Sequence, residues 1–528
     1  MNRNPNRLNL IRFLFPNPQP DMNNVRFFLF LFGTLLTLPL KTPAQSAPYF
    51  GVTAHRGSSG SFPENTIPAY RNAIALKVDW AELDIFRTKD GKLVVTHDAR
   101  TGRVADKDLE IAASTYDELK QLDVATGFRK KTGRSLKECP PQQMPLLEDI
   151  LALFVQQSAT KISIQPKADC VPEAIGIVRK MNAQHIVGFN DGNLRYMSQV
   201  KELEPGIPVF WDRPANSDLD EDIRIAREKK FETLVVNSKG LTAEKIQKIK
   251  KAGFSAGAWT VNDPVEMKQL LAAGIDRIYT DEPAALIFLR YHTGGIACEG
   301  AYKGHLQGIC LDDENNIYWS WTDAIVRTDA TGKITAKVAA PSHQGDLCYR
   351  EGKIYVAVNL GKFNEPAGKA DSWVYAFDAR TLELIRKYPV PELVHGAGGV
   401  AYRNERFVVV GGLPPGSSEN YLYEYDTDFN FQKRHVLQSG YTLMGIQTIA
   451  YAGGNWWLGC YGNPRELLRT DDNFNFTGKY TFDASLGIAP ASEGLFLIGS
   501  NIRDDKGHSG KATPAFTSLE KGLMFDNQ

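Results

Sequence analysis

The sequence has no excess of charge. Its 61 Lys and Arg residues balance 61 Asp and Glu residues, so no global field draws the chain toward nucleic acid or an anionic membrane, and neither is expected as a partner. Any affinity for phosphate must be local. The sequence also lacks a long apolar run. The most apolar segment, residues 27–40, is too short for a comfortable membrane span. Cysteine is scarce, with six residues whose spacing does not suit zinc, and none stands near residue 46, which argues against a lipoprotein. What residues 1–47 do contain is Arg26, the apolar run, and then the small residues Ala44, Ser46 and Ala47. This is the pattern of a secretory signal, so the chain is expected to be exported to a periplasmic or extracellular location, without stable membrane insertion. Met22 stands beside Met1 as an alternative start.

At 528 residues the chain exceeds one ordinary domain, and a prior of about 150 residues per domain suggests two or three. Between residues 48 and 292, short apolar strands alternate with amphipathic helices. Strands are expected at 52–55, 80–87, 161–165, 185–189, 208–211, 233–236, 256–260 and 277–280. Eight strand-helix units predict a closed parallel α/β barrel of the TIM type, whose chemistry sits at the C-terminal strand ends. Residues 99–143 form a polar stretch that is expected to insert over the barrel mouth and tune substrate choice.

Ionisable residues collect at those ends. His55 and Arg56 close the first strand, Glu82 and Asp84 lie two apart on the second, and His97 and Asp98 follow the turn at Asp90-Gly91. Residues two apart on a strand face the same side. Glu82 and Asp84 therefore converge, and two converging carboxylates repel unless one is protonated or a hard cation bridges them.

These elements, H-R-G at 55–57, P-E-N-T at 63–66, E-x-D at 82–84, T-x-D-G at 88–91 and H-D at 97–98, occur in the order found in glycerophosphodiester phosphodiesterases. The resemblance extends through I-S-I-Q-P-K at 162–167, W-T-V-N-D at 259–263 and T-D-E-P at 280–283, over roughly residues 50–290. It implies a divalent cation, Ca2+ or Mg2+, on Glu82 and Asp84, with His55 and His97 as general acid and base. It also implies that a glycerol hydroxyl attacks first, giving a cyclic phosphate that water opens to glycerol 3-phosphate. Imidazole suits proton transfer near neutral pH. Arg56 is expected to hold the nonbridging oxygens through its planar fork, Lys167 to add a second positive charge, and Trp259 to line the glycerol pocket or fill the barrel mouth. Glu64 is a candidate for substrate or metal contact, or for steadying Arg56, and Asp281 is expected to set the final loop.

One position departs from the family pattern, which places E-x-K on the third long strand, where this chain has Gln165-Pro166-Lys167. Gln165 is expected to remain a metal ligand through its carbonyl oxygen, at weaker affinity because it adds no charge. Asp169 and Asp191 are the candidate compensating carboxylates. In an exported chain cysteines can pair, and Cys139 with Cys170 is the favoured bridge because both are expected on loops at one barrel face.

From residue 293 helical periodicity disappears. A strand ending in Asp recurs at Asp329, Asp378, Asp426 and Asp471, spaced 49, 48 and 45 residues apart, with Asp526 a fifth. Earlier strands carry Gly308, Gly345, Gly399, Gly445 and Gly487. Residues 293–528 thus read as an all-β domain, a five-bladed propeller, with a two-sheet sandwich as the alternative. His305, His343 and His395 precede the first strands of successive blades, where a propeller would gather them near one end of its axis. They are either turn residues or a second site for a glycan or lipid headgroup.

The expected activity is exported, metal-dependent hydrolysis of glycerophosphodiesters. Phospholipase D-like or inositol-phosphodiester cleavage on the same barrel remains open, as does a catalytically weak headgroup-binding protein.

Overall fold

The computed structural model describes residues 51–525 apart from 293, 493 and 519. The secretory leader, the choice of start and Asp526 lie outside the described residues. Among the described residues no helix is long and apolar enough to cross a membrane.

The barrel strands are β1 (Gly51–Ala54), β2 (Trp80–Arg87), β3 (Leu93–Val95), β4 (Lys161–Pro166), β5 (Val187–Asp191), β6 (Val209–Arg213), β7 (Thr233–Asn237), β8 (Ser255–Trp259) and β9 (Arg277–Thr280). Apart from β3, which runs antiparallel on the edge of β2, all pair in parallel, and β1 joins both β9 and β2. The ring therefore closes on eight strands. Near-continuous apolar sequence makes such strands, because helices cover one face and the barrel interior fills the other. On β2 the two faces separate cleanly: Ala81, Leu83 and Ile85 enter the core shared with the helices, and Trp80, Glu82 and Asp84 alternate with them. Trp80 packs with Phe210, Val235 and Tyr279 as the barrel floor. The buried guanidinium of Arg277 stacks there, 3.7 Å from the Phe210 ring centre. Gly188 is required here, since a Cβ would meet Phe210 Cε2 at 2.6 Å.

Polar N-caps start several covering helices. Asn193, Asp218 and Asp263 each accept backbone N–H bonds from the first turn of helices Leu194–Leu203, Leu219–Lys229 and Pro264–Ala272; such a cap contributes about 1 kcal/mol. The 99–143 segment folds around its own small core, in which Ala105, Ile111, Leu119 and Val124 pack against Val94 of β3 and Met144. It also reaches the second domain: Tyr402 Oη donates to Glu138 Oε1 at 2.9 Å, and Ser135 Oγ to Glu405 Oε1 at 3.0 Å.

Beyond the barrel stand five small antiparallel sheets. Four are simple four-stranded meanders, running from Leu306–Leu311 to Ile334–Ala339, from Gln344–Arg350 to Leu384–Pro389, from Ala397–Arg403 to Phe431–Leu437, and from Leu443–Ala452 to Phe476–Thr481. The fifth combines Ile488–Ser492, Leu495–Asp504 and Gly507–Ser518, and the last of these pairs with both Ile296–Ala297 and Gly522–Phe525. A strand just after the barrel thus completes the last sheet and closes a five-bladed propeller-like ring. The recurring Asp is a turn-former. Asp329, Asp378, Asp426 and Asp471 each use Oδ1 to accept backbone N–H bonds from residues two to four further on, an Asx-type turn into the outer strand. Gly308 allows the inner strands to approach, because a Cβ would lie 2.3 Å from Asp346 Oδ1.

The expected Cys139–Cys170 bridge does not form. All six cysteines are free thiols. Cys170 is buried in the barrel core as the residue preceding helix Val171–Lys180, not on an open loop, while Cys139 stands in the inserted segment, where its carbonyl accepts from Arg129 Nη1.

Candidate active site

A cavity of about 400 Å³ opens at the C-terminal ends of the barrel strands. It is lined by His55, Arg56, Glu82, His97, Gln165, Lys167 and Trp259, together with Asn190, Asp212 and Tyr279. Both histidines face this one space.

His55 directly follows β1. Its Nδ1 lies 2.7 Å from Asp281 Oδ1, and Asp281 is steadied by Ser59 Oγ at 2.6 Å and Asn262 Nδ2 at 2.6 Å. Burial pulls the His55 pKa down, but the Asp281 bond and the Glu82 charge outweigh it, so it is raised above the ordinary histidine value. His97 Nδ1 lies 2.6 Å from Asp98 Oδ1. Here burial prevails, helped by the positive charges of Lys167 and Arg56, and the pKa is lowered. The two imidazoles thus shift in opposite directions.

Arg56 adopts φ of 53°, a left-handed conformation costing about 1–2 kcal/mol for a residue with a side chain. That turn aims its backbone N–H at Glu82 Oε2, 3.0 Å away. Its guanidinium reaches Glu64 at 3.1 Å and Asp84 at 3.4 Å. Asp84 also receives Asn65 Nδ2 at 2.9 Å and faces Lys167 Nζ at 3.2 Å. Burial acts to raise Asp84, yet Lys167 and Arg56 hold it below the usual carboxylate range. Glu82, buried beside that charge, is raised instead.

Glu64 does not reach the cavity wall. Its oxygens are occupied by Arg56 and by Arg103 of the inserted segment, at 2.6 and 2.7 Å; against the upward push of burial, these partners depress its pKa. Arg103 also binds Asp98 at 2.5 Å, so a single side chain ties together the loops that carry Arg56 and His97. Gln165 Nε2 donates to Asp212 Oδ2 at 3.2 Å. Asp212 is pushed up to about 8, by burial first and by Asp191 second. Of the two compensating candidates, Asp191 lies close enough to sense Gln165 and Lys167, whereas Asp169 pairs with Arg195 on the surface at 3.0 Å.

Glu82 Oε1 is buried without a hydrogen-bond partner, and Asp84 Oδ1 is buried facing Lys167 Nζ at 3.2 Å. With the Gln165 amide nearby these carboxylates form an all-oxygen donor set, the chemistry a hard cation prefers. Among the described residues no three His, Cys, Asp or Glu side chains gather closely enough to hold an ion.

Four contributors escaped the sequence reading. Asp281 was legible as a residue but was assigned to the loop, not to His55. Asp212 carries a usable signal, an acid at the end of a barrel strand. Asn65 stood within P-E-N-T at 63–66 without an assigned role, and Arg103 gave no signal, because what they bind is set by folding.

An eight-stranded parallel barrel with acids, imidazoles and cations at its C-terminal mouth has the layout of a TIM-barrel active site. Residues 55–285, somewhat under half of the chain, match the model of the Glycerophosphoryl diester phosphodiesterase family. The glycerophosphodiester phosphodiesterase of Caldanaerobacter subterraneus subsp. tengcongensis is 29% identical over 244 residues, covering 45% of this chain and 96% of the relative. A human lysophospholipase D is 23% identical over 270 residues, 44% of this chain and 83% of the relative. A solved Oleispira antarctica phosphodiesterase, in complex with the product sn-glycerol-3-phosphate, is similar at 25% identity with a TM-score of 0.40, covering 45% of this chain and 95% of that one.

Proposed function

We propose that this is an exported, metal-dependent phosphodiesterase that hydrolyses glycerophosphodiesters to glycerol 3-phosphate and an alcohol. The proposed organisation is a leader at 1–47, a catalytic barrel at 48–292 and a propeller at 293–528. The observation that carries the reading is the pair of oppositely shifted imidazoles, His55 and His97, facing one cavity beside Glu82 and Asp84.

Glu82, Asp84 and Gln165 would hold the divalent cation, Ca2+ or Mg2+, and when bound it supplies Lewis-acid polarisation of a phosphoryl oxygen. Arg56 and Lys167 bind the nonbridging oxygens and neutralise their charge. Neutral His97 takes the proton of the glycerol hydroxyl adjacent to the phosphate, and that oxygen bonds to phosphorus. The bond from phosphorus to the alcohol oxygen breaks, and protonated His55 gives its proton to the departing alkoxide. In the second half the roles reverse: His55 takes a proton from water, the resulting hydroxide bonds to phosphorus, the ring P–O bond opens, and His97 returns its proton to the glycerol oxygen. Asp281 and Asp98 occupy each Nδ1, leaving Nε2 for these transfers. Trp259 is the wall against which the glycerol packs, and Glu64 supports the site by fixing Arg56.

A phospholipase D-like activity is the second reading, favoured by the likeness to the human lysophospholipase D. A binding protein without turnover is disfavoured, since two oriented titratable groups add little to binding alone. Product analysis on glycerophosphocholine, glycerophosphoinositol and lysophosphatidylcholine, with Mg2+ or Ca2+ and with His55→Ala and His97→Ala as controls, tests the proposal. It is overturned if no diester yields glycerol 3-phosphate, or if both alanine variants match wild type.

A further inference from the structure

The propeller contains a second cavity, about 380 Å³ in volume, toward the lower end of the range for small-molecule pockets. Its wall is built from four blades, among them His305 and Gln307 of the first, His343 of the second, and Met444 and Tyr461 of the fourth. Two of the three histidines expected at one end of the axis do meet here. His395 does not line the cavity; its Nδ1 donates to Glu365 O at 2.9 Å.

The polarity of this cavity is opposite in kind to that of the barrel site. No Lys, Arg, Asp or Glu lines it. Burial lowers the pKa of His305 and of His343, so both rings are neutral at neutral pH. Gln307 Nε2 lies 2.9 Å from His305 Nε2 and 3.3 Å from His343 Nε2, while His343 Nδ1 lies 3.1 Å from Gln344 O. That carbonyl can only accept, which places the proton of His343 on Nδ1 and leaves Nε2 to accept from the amide. The network is self-consistent with Gln307 donating to His343 and to His305, and its Oε1 is the acceptor remaining to a ligand.

Other amides are already committed. Gln447 Nε2 donates to Met444 O at 2.7 Å, and Asn359 serves Gly361 O and the Asp371 N–H. They shape the wall. Met444 itself is held at φ of 62°, a strained conformation of the kind that collects at binding sites. Phe363 and Tyr461 add aromatic surface, and Phe363 has its place because Gly396 has no Cβ, which would otherwise lie 2.4 Å from Phe363 Cδ2.

An ionic ligand would lose its hydration here and gain no counter-charge. A purely apolar one would leave Gln307 Oε1 without a partner. We propose that the propeller cavity binds a neutral, hydroxyl-rich small ligand, a monosaccharide or cyclic polyol by chemical class, with Gln307 as the hydrogen-bonding group and Phe363 and Tyr461 as the apolar wall. Hydroxyls can donate to the remaining amide acceptor, Gln307 Oε1, and the C–H face of a sugar ring matches the aromatics. The site is independent of the barrel chemistry.

The test is calorimetric titration of the full chain with D-galactose, N-acetyl-D-glucosamine and myo-inositol, alongside the charged counterparts galacturonate and glucosamine. At least one neutral compound should bind saturably at millimolar concentration and raise the unfolding temperature. Gln307→Leu and Phe363→Ala should each weaken it by about tenfold or more, the loss expected for one buried hydrogen bond or contact, with diester hydrolysis unchanged. His55→Ala should retain the binding. The proposal is overturned if no neutral compound binds, if only charged compounds bind, or if both cavity variants, shown folded by circular dichroism, bind as wild type does.

Discussion

The carboxylate of Asp281 lies 2.7 Å from Nδ1 of His55, so the last barrel strand orients the imidazole that ends the first. In Asp281→Asn the ring loses both its orientation and the charge that raises its pKa. Turnover is expected to fall by about 10²–10⁴-fold, the usual worth of a positioned acid or base. The pH profile is the specific readout. In the first step His97 must be neutral and His55 protonated, so activity should rise through the lowered pKa of His97 and fall through the raised pKa of His55, giving a plateau that straddles the ordinary value of about 6.5. Removing Asp281 should move only the alkaline limb, toward lower pH.

Gln165→Glu should tighten Mg2+ or Ca2+ binding by about tenfold or more, because affinity for a hard cation rises with ligand charge. Without cation the same variant should unfold at a lower temperature, since the new carboxylate would lie against Asp212 and Asp191. Calorimetry and melting curves with and without chelator check both. Unchanged affinity would mean that position 165 does not touch the ion.

Arg103→Ala should lower kcat/KM by about tenfold, although Arg103 does not line the cavity, because Glu64 and Asp98 lose the group that joins them. A pH signature accompanies it. The Glu64 pKa is depressed in the folded protein, so its stabilisation is fully present above the ordinary Glu value of about 4.3 and is lost as pH falls through the folded pKa. Urea unfolding between the two values should show less acid sensitivity in the variant than in wild type.

Alkylation under denaturing conditions without reductant, followed by mass spectrometry, should label all six cysteines. A bridged Cys139–Cys170 peptide would contradict the structure.

The barrel was readable because its signals are local. Period-two carboxylates on β2, apolar strands and Asp or Asn caps each act within a few residues, and Asp329, Asp378, Asp426 and Asp471 betrayed the blades because each forms its own turn. Contacts made across the fold were not readable. Arg103 meets Glu64 only because a segment with its own core folds back against the loop that carries Glu64, and Asp212 reaches Gln165 only because β4, β5 and β6 are neighbours in the closed ring. The disulfide expectation failed for the same reason: chain order places Cys170 after a strand but does not reveal that the helix start there is buried.

The pairing of Ile296–Ala297 with Ala512 and Lys511 has a temporal side. As the polypeptide emerges in order, the barrel has all its strands while this short segment still lacks its mate, which lies more than two hundred residues further along the chain. The propeller must wait, unlatched, with its seam exposed beside an already formed enzyme. A chain without residues 507–518 would join a barrel with all its strands to an unsealed wheel.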